Sequence, residues 1–159
     1  MLLKPPYLAF AFFCERVLHE QDGVLTPIRI VDRLLVNHMP ASKSPVPTAL
    51  HSITLVVGLK AGNYKGKGKI RIKGAAPSGK SVTRKPIETE VELTGADSGA
   101  NFIAILGLSF REVGTYWFDI YFNDRMLART PLSVSVFSPQ MPIARMTAEK
   151  KRIRAPRKA

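Results

Sequence analysis

Cysteine is almost absent from these 159 residues. The single Cys14 leaves no partner for an intrachain disulfide and no thiol cluster for zinc. Such usage fits a reducing compartment. His19, His38 and His51 are equally sparse, with none of the short spacings that pair imidazoles around a metal. No apolar run approaches the roughly 20 residues of a membrane-spanning helix. The apolar run Tyr7–Cys14 follows Pro5 and Pro6 and leads to no small-residue cleavage site, so no export signal is expected. Together these absences set the expectation of a cytoplasmic, non-enzymatic protein without metal or cofactor.

Negative charge is also scarce, and its distribution matters more than its total. The chain carries 24 Lys+Arg against 12 Asp+Glu, a net charge of +12. From Arg33 to Ile87 there are eleven basic residues and no acid, and residues 145–159 hold seven basic residues and one acid. This balance favours anionic partners, which is a statement about association and not about fold.

Catalytic patterns are missing as well. Glu15, Glu20, Asp22 and Asp32 are too dispersed for an acid/base pair or a calcium loop. The segment GNYKGKGK lacks the glycine spacing and the following helix of a phosphate-binding loop. Cys14 follows Phe12 and Phe13 in an apolar run, where a buried, inert thiol is the ordinary case.

What is present is β-structure. Tyr7–Cys14 is an aromatic-rich run suited to a buried strand, and Glu15–Glu20 is the best helix candidate in a chain with few. Val24–Val36 offers a second β-rich stretch, kinked early by Pro27. Residues 37–48, NHMPASKSPVPT, form a proline- and serine-rich loop. Further strands are expected over His51–Lys60, Tyr64–Lys73, Ile87–Leu93, Asn101–Phe110, Thr115–Phe122 and Met126–Phe137. Seven to eight strands with turn residues between them predict an antiparallel β-sandwich over residues 1–137. A basic, flexible tail is expected over 138–159.

The stretch YKGKGKIRIK at 64–73 puts Lys65, Lys67, Lys69, Arg71 and Lys73 on one side of a strand. A hairpin centred on Ser78-Gly79 would set Lys69 opposite Glu88, Lys67 opposite Glu90 and Lys65 opposite Glu92. The stripe then reads as a charge-matched solvent face. Arg71, Lys73, Lys80, Arg84 and Lys85 would stay unmatched near the turn, and Arg71, Lys73, Arg84 and Lys85 become candidates for binding a polyanion. The densest basic cluster is KKRIRAPRKA, where Lys150, Lys151, Arg152, Arg154, Arg157 and Lys158 can each neutralise a phosphate of a nucleic acid. The competing readings are a tail that serves only solubility and one that binds anionic lipid, the latter weaker with no apolar anchor beyond Ile153.

Residues 112–120 read EVGTYWFDI. Gly114, Tyr116 and Phe118 resemble the D-x-G-x-Y-x-C segment that enters strand F of immunoglobulin-type domains, where the tyrosine hydroxyl bonds back to main chain. Glu112 stands in place of the aspartate and Phe118 in place of the cysteine. The resemblance implies an immunoglobulin-like sandwich and no antibody function. Along most of its length the chain also resembles an uncharacterised bacterial family of small single-domain β proteins. The carrying segments are AFFCERVLHEQDGVLTPIRIVDRLLV and GTYWFDIYFNDRMLARTPLSV. That resemblance implies size and fold and supplies no catalytic residue.

Along 115–122, Tyr116, Phe118, Ile120 and Phe122 alternate with Trp117, Asp119 and Tyr121. We assign the first set to the core. Trp117 and Tyr121 then form a candidate patch for a protein partner, because aromatics concentrate at interface hot spots. The leading expectation is thus a protein-interaction module, and the second a nucleic-acid-associated protein held by its tail.

Overall fold

The structure is a computed structural model and describes residues 4–36, 49–83 and 85–136. Among these residues the chain forms nine strands. They are β1 (Tyr7–His19), β2 (Leu25–Val31), β3 (Arg33–Val36), β4 (Ala49–Lys60), β5 (Lys65–Ala75), β6 (Ile87–Thr94), β7 (Gly99–Phe110), β8 (Gly114–Phe122) and β9 (Arg125–Val136). They pair into a four-stranded sheet, β2-β1-β4-β7, and a five-stranded sheet, β3-β9-β8-β5-β6. The two inner faces enclose one core, with Phe13 edge-on to Phe118 and Phe110 edge-on to Tyr116, each pair at 4.9 Å.

The immunoglobulin-like sandwich holds, with details the sequence did not show. Neighbours β9, β8 and β5 have the order of strands G, F and C of that fold, with β6 beside them. All ladders are antiparallel except β3–β9, which is parallel. The β-rich stretch 24–36 keeps its pairing with β1 through Pro27. It breaks at Asp32, sending β2 to one sheet and β3 to the other. Pro27 is tolerated because β2 is an edge strand with one side free of ladder bonds. Pro131 of β9 lies beyond the end of β3, whose pairing begins at Arg33 opposite Ser133.

The expected helix Glu15–Glu20 is overturned. β1 continues as a strand to His19 and turns through residues 20–24 into β2, closed by a hydrogen bond from Glu20 N–H to the Val24 carbonyl (2.9 Å). Cross-strand pairing of residues 14–19 with β2 satisfies the main chain that a helix would otherwise satisfy internally. The expected loop 37–48, Phe137 and the expected tail 138–159 lie outside the described residues.

The tyrosine corner is present. The Tyr116 hydroxyl donates to the Glu112 carbonyl (3.0 Å) and accepts from the Glu112 N–H (3.2 Å), with the ring buried between the sheets. Burial pushes its phenol pKa up. Gly114 has φ of 129°, a region closed to side chains with a Cβ, which explains the glycine at this corner.

Candidate functional site

The outer face of the five-stranded sheet carries most of the candidates from the sequence. Tyr116, Phe118, Ile120 and Phe122 fill the core, and Trp117, Asp119 and Tyr121 point outward, as assigned. Trp117 is 40% exposed and Tyr121 half-buried. Both rings are capped by cations. Arg129 lies over Trp117 at 5.9 Å and Lys73 over Tyr121 at 5.2 Å. Arg129 is held by a two-bond clamp to the Asp119 carboxylate at 2.6 and 3.0 Å. The aromatic patch is therefore dressed with charge.

The lysine stripe is matched by glutamates, but two residues out of the expected register. Arg71 faces Glu88, Lys69 faces Glu90 and Lys67 faces Glu92. The cause is the connection between β5 and β6. The chain first folds back in a short arm, with Ala75 bridging Ser81 and Val82 N–H bonded to the Gly74 carbonyl (3.0 Å). β6 then begins at Ile87 opposite Ile72, offset from the register of that arm. A slip of two keeps every side chain on its face, so the charge match survives. It also corrects the expectation that Arg71 is unmatched. Its guanidinium donates to Glu88 at 2.6 Å and lies 3.7 Å from Asp124, while Lys69 reaches Glu88 at 3.4 Å. These partners, Arg71 first, hold the Glu88 carboxyl below its ordinary pKa. Of the other polyanion candidates, Lys73 covers Tyr121, and Lys85 is exposed beside β7. Arg84 and the tail residues Lys150, Lys151, Arg152, Arg154, Arg157 and Lys158 lie outside the described residues.

The sequence reading missed the outer face of the other sheet. An outer face normally alternates polar residues with the core. Here β4 is buried on both sides from Ile53 to Leu59. Register places Phe10 beside Gly58, Phe12 beside Val56 and Cys14 between Thr54 and Ile30, with Ile103 and Ile105 next on β7. The Phe10 ring lies on Gly58, leaving no room for a Cβ there. Ile105 is 76% exposed, Ile30 64% and Phe10 39%. This is a contiguous apolar surface, of the kind that marks docking sites. The signal was in the continuous runs YLAFAFFC, ITLVVGL and FIAILGL, each apolar at both parities. Cys14 lies beneath this face, fully buried, and burial pushes its thiol pKa up.

Among the described residues no group of three or more His, Cys, Asp or Glu side chains could hold a metal ion, and no helix is long and apolar enough to cross a membrane. Sheet order, tyrosine corner and apolar faces define an immunoglobulin-like β protein. A family model described as "Family of unknown function (DUF6941)" matches residues 9–135, so the chain belongs to that uncharacterised family. Among solved structures it is similar to an immunoglobulin-like protein from Pseudomonas aeruginosa. The two are 12% identical with a TM-score of 0.44, covering 83% of this chain and 98% of that one. No curated protein matches it.

Proposed function

We propose that the chain is a non-enzymatic interaction module that docks the apolar surface of a partner protein on the outer face of its four-stranded sheet. The observation that carries this reading is the exposure of Ile30 and Ile105 on a sheet face that also holds Phe10, Phe12 and Ile103. Covering such side chains stabilises a complex by about 25 cal/mol per Å² of apolar area removed from water. The strands beneath are paired along β2-β1-β4-β7, so little backbone order has to be gained on binding. The Trp117/Tyr121 patch is a smaller second contact area, since Arg129 and Lys73 already cover part of each ring.

The test compares the full chain with an Ile30→Lys/Ile105→Lys variant and with Trp117→Lys, each checked for unchanged melting. Proteins retained from an extract of the source cell are quantified for all three. Loss of the retained partner in the double variant, with retention by Trp117→Lys, supports the four-stranded face. Loss only in Trp117→Lys moves the contact to the other sheet, and identical retention by all three overturns the reading.

A further inference from the structure

We propose that the free edge of β7 takes an extended, acidic segment of a partner protein as an added strand. The proposal rests on the reading of the chain as an interaction module and names a second place of contact, which adjoins the apolar face at Ile105. In the immunoglobulin fold, strand E of the A-B-E-D sheet carries strand D on its outer side. Here β7 occupies the end of the sheet β2-β1-β4-β7, and the chain reaches it from β6 of the opposite sheet through residues 95–98. No described residue pairs with its outer side.

The phase of the ladder shows which groups are free. Ala61 donates its N–H to the Ser98 carbonyl at 3.0 Å. In an antiparallel ladder every second facing pair then exchanges both main-chain bonds, beginning here with Leu59/Ala100 and Val57/Phe102. The N–H and C=O groups of Asn101, Ile103, Ile105, Gly107 and Ser109 consequently face the open edge.

This edge is unlike the others. Natural sheets blunt their edges with prolines, charges, distortion or short length. β2 carries Pro27 and an Arg29 with φ of 51°, β3 is four residues long, and β6 carries Glu88, Glu90 and Glu92. β7 is twelve residues long, GANFIAILGLSF, with no charge and no proline. An unprotected edge of this length is a template for another strand.

The space beside it fits an extended segment. A groove of about 580 Å³ lies between the β7 edge at 105–109 and the connection that carries Val82, Lys85 and Ile87. Leu106 and Leu108 back it with apolar surface, and Arg111 closes one end. Lys85 and Arg111 are both exposed, and no acidic residue is among the described residues that line the groove. The acids adjacent in sequence to lining residues are engaged elsewhere: Glu88 by Arg71, and Glu112 by the Ser78 N–H and hydroxyl at 3.0 and 2.7 Å. A strand alternating apolar residues with Asp or Glu would set one parity against Ile87 and Leu108 and the other against the two cations.

Gly107 allows a clean test. Its N–H faces the open edge, and a Cβ there meets nothing within 4 Å. Random decapeptides displayed on phage are selected on the full chain, and the enriched peptides are titrated against variants. Alternating apolar and acidic peptides are expected, with affinity about tenfold weaker in Gly107→Pro, which removes one edge donor and blocks approach, and within about twofold in Gly107→Ala. Lys85→Glu/Arg111→Glu is expected to weaken them about tenfold. Peptides that bind Gly107→Pro as well as the parent overturn the edge. If those same peptides are lost in Ile30→Lys, which lies on β2 away from the groove, the apolar face stands without it. Enrichment of basic peptides, or of none, overturns the acidic partner. A dimer of the chain itself that Gly107→Pro abolishes would also overturn it, assigning the edge to a second copy.

Discussion

At the scale of single residues, the corner at Tyr116 is where fold information is most concentrated. One hydroxyl serves both the N–H and the carbonyl of Glu112 inside a buried setting. Tyr116→Phe keeps the ring packing and strands both main-chain groups, so it is expected to cost about 1–3 kcal/mol. A lower denaturant midpoint at unchanged slope would show this, whereas an unchanged midpoint would mean water replaces the hydroxyl. Cys14 gives a second check. A thiol that is fully buried and raised in pKa should resist a disulfide reagent in the native state and react only on unfolding, as followed by thiol release over time. Glu88 gives a third. Its carboxyl pKa is depressed in the folded state, so its pairing with Arg71 contributes above the unfolded pKa and fades as pH falls through the folded value. An NMR titration should find Glu88 below the ordinary glutamate range, and Arg71→Ala should move it back up.

At the scale of elements, alternation within a strand was easy to read and pairing between strands was not. The alternation of Tyr116, Phe118, Ile120 and Phe122 is by itself enough to assign the buried side of β8. The register of β5 against β6 depended on a side arm, Ala75 to Ser81, that no periodicity reports. The apolar outer face escaped for a related reason. A strand apolar at both parities reads as buried, and only the exposure of Ile30, Ile105 and Phe10 shows that part of this outer face is open. The ladder phase of β7 yields its own prediction. Ala104 bonds inward to Leu55, so Ala104→Pro should destabilise by at least about 1–3 kcal/mol through a stranded carbonyl. Gly107→Pro should leave stability nearly unchanged, because its N–H has no ladder partner among the described residues. Equal losses in the two variants would show that the phase is the reverse.

At the scale of the molecule, charge is distributed unevenly between the described sandwich and the C-terminal residues of the sequence. The stripe on β5 is answered by Glu88, Glu90 and Glu92 across the sheet, and Arg129 is answered by Asp119. Half of the net charge of +12 lies in residues 145–159, where seven basic residues meet one acid. Any affinity for nucleic acid should therefore reside in the tail and spare the strand face. Each phosphate neutralised there adds close to one unit to the slope of log affinity against log salt. The full chain and a 1–138 truncation are to be titrated with duplex and single-stranded DNA and RNA across a salt series. Tail-driven binding predicts a steep slope for the full chain and at least a tenfold loss on truncation at about 0.15 M salt. Binding that survives truncation, and falls instead on changing Lys73 and Lys85 to glutamate, would return the basic strand to the candidate surfaces. Retention only at low salt would leave the tail as solvation and the apolar sheet as the functional surface.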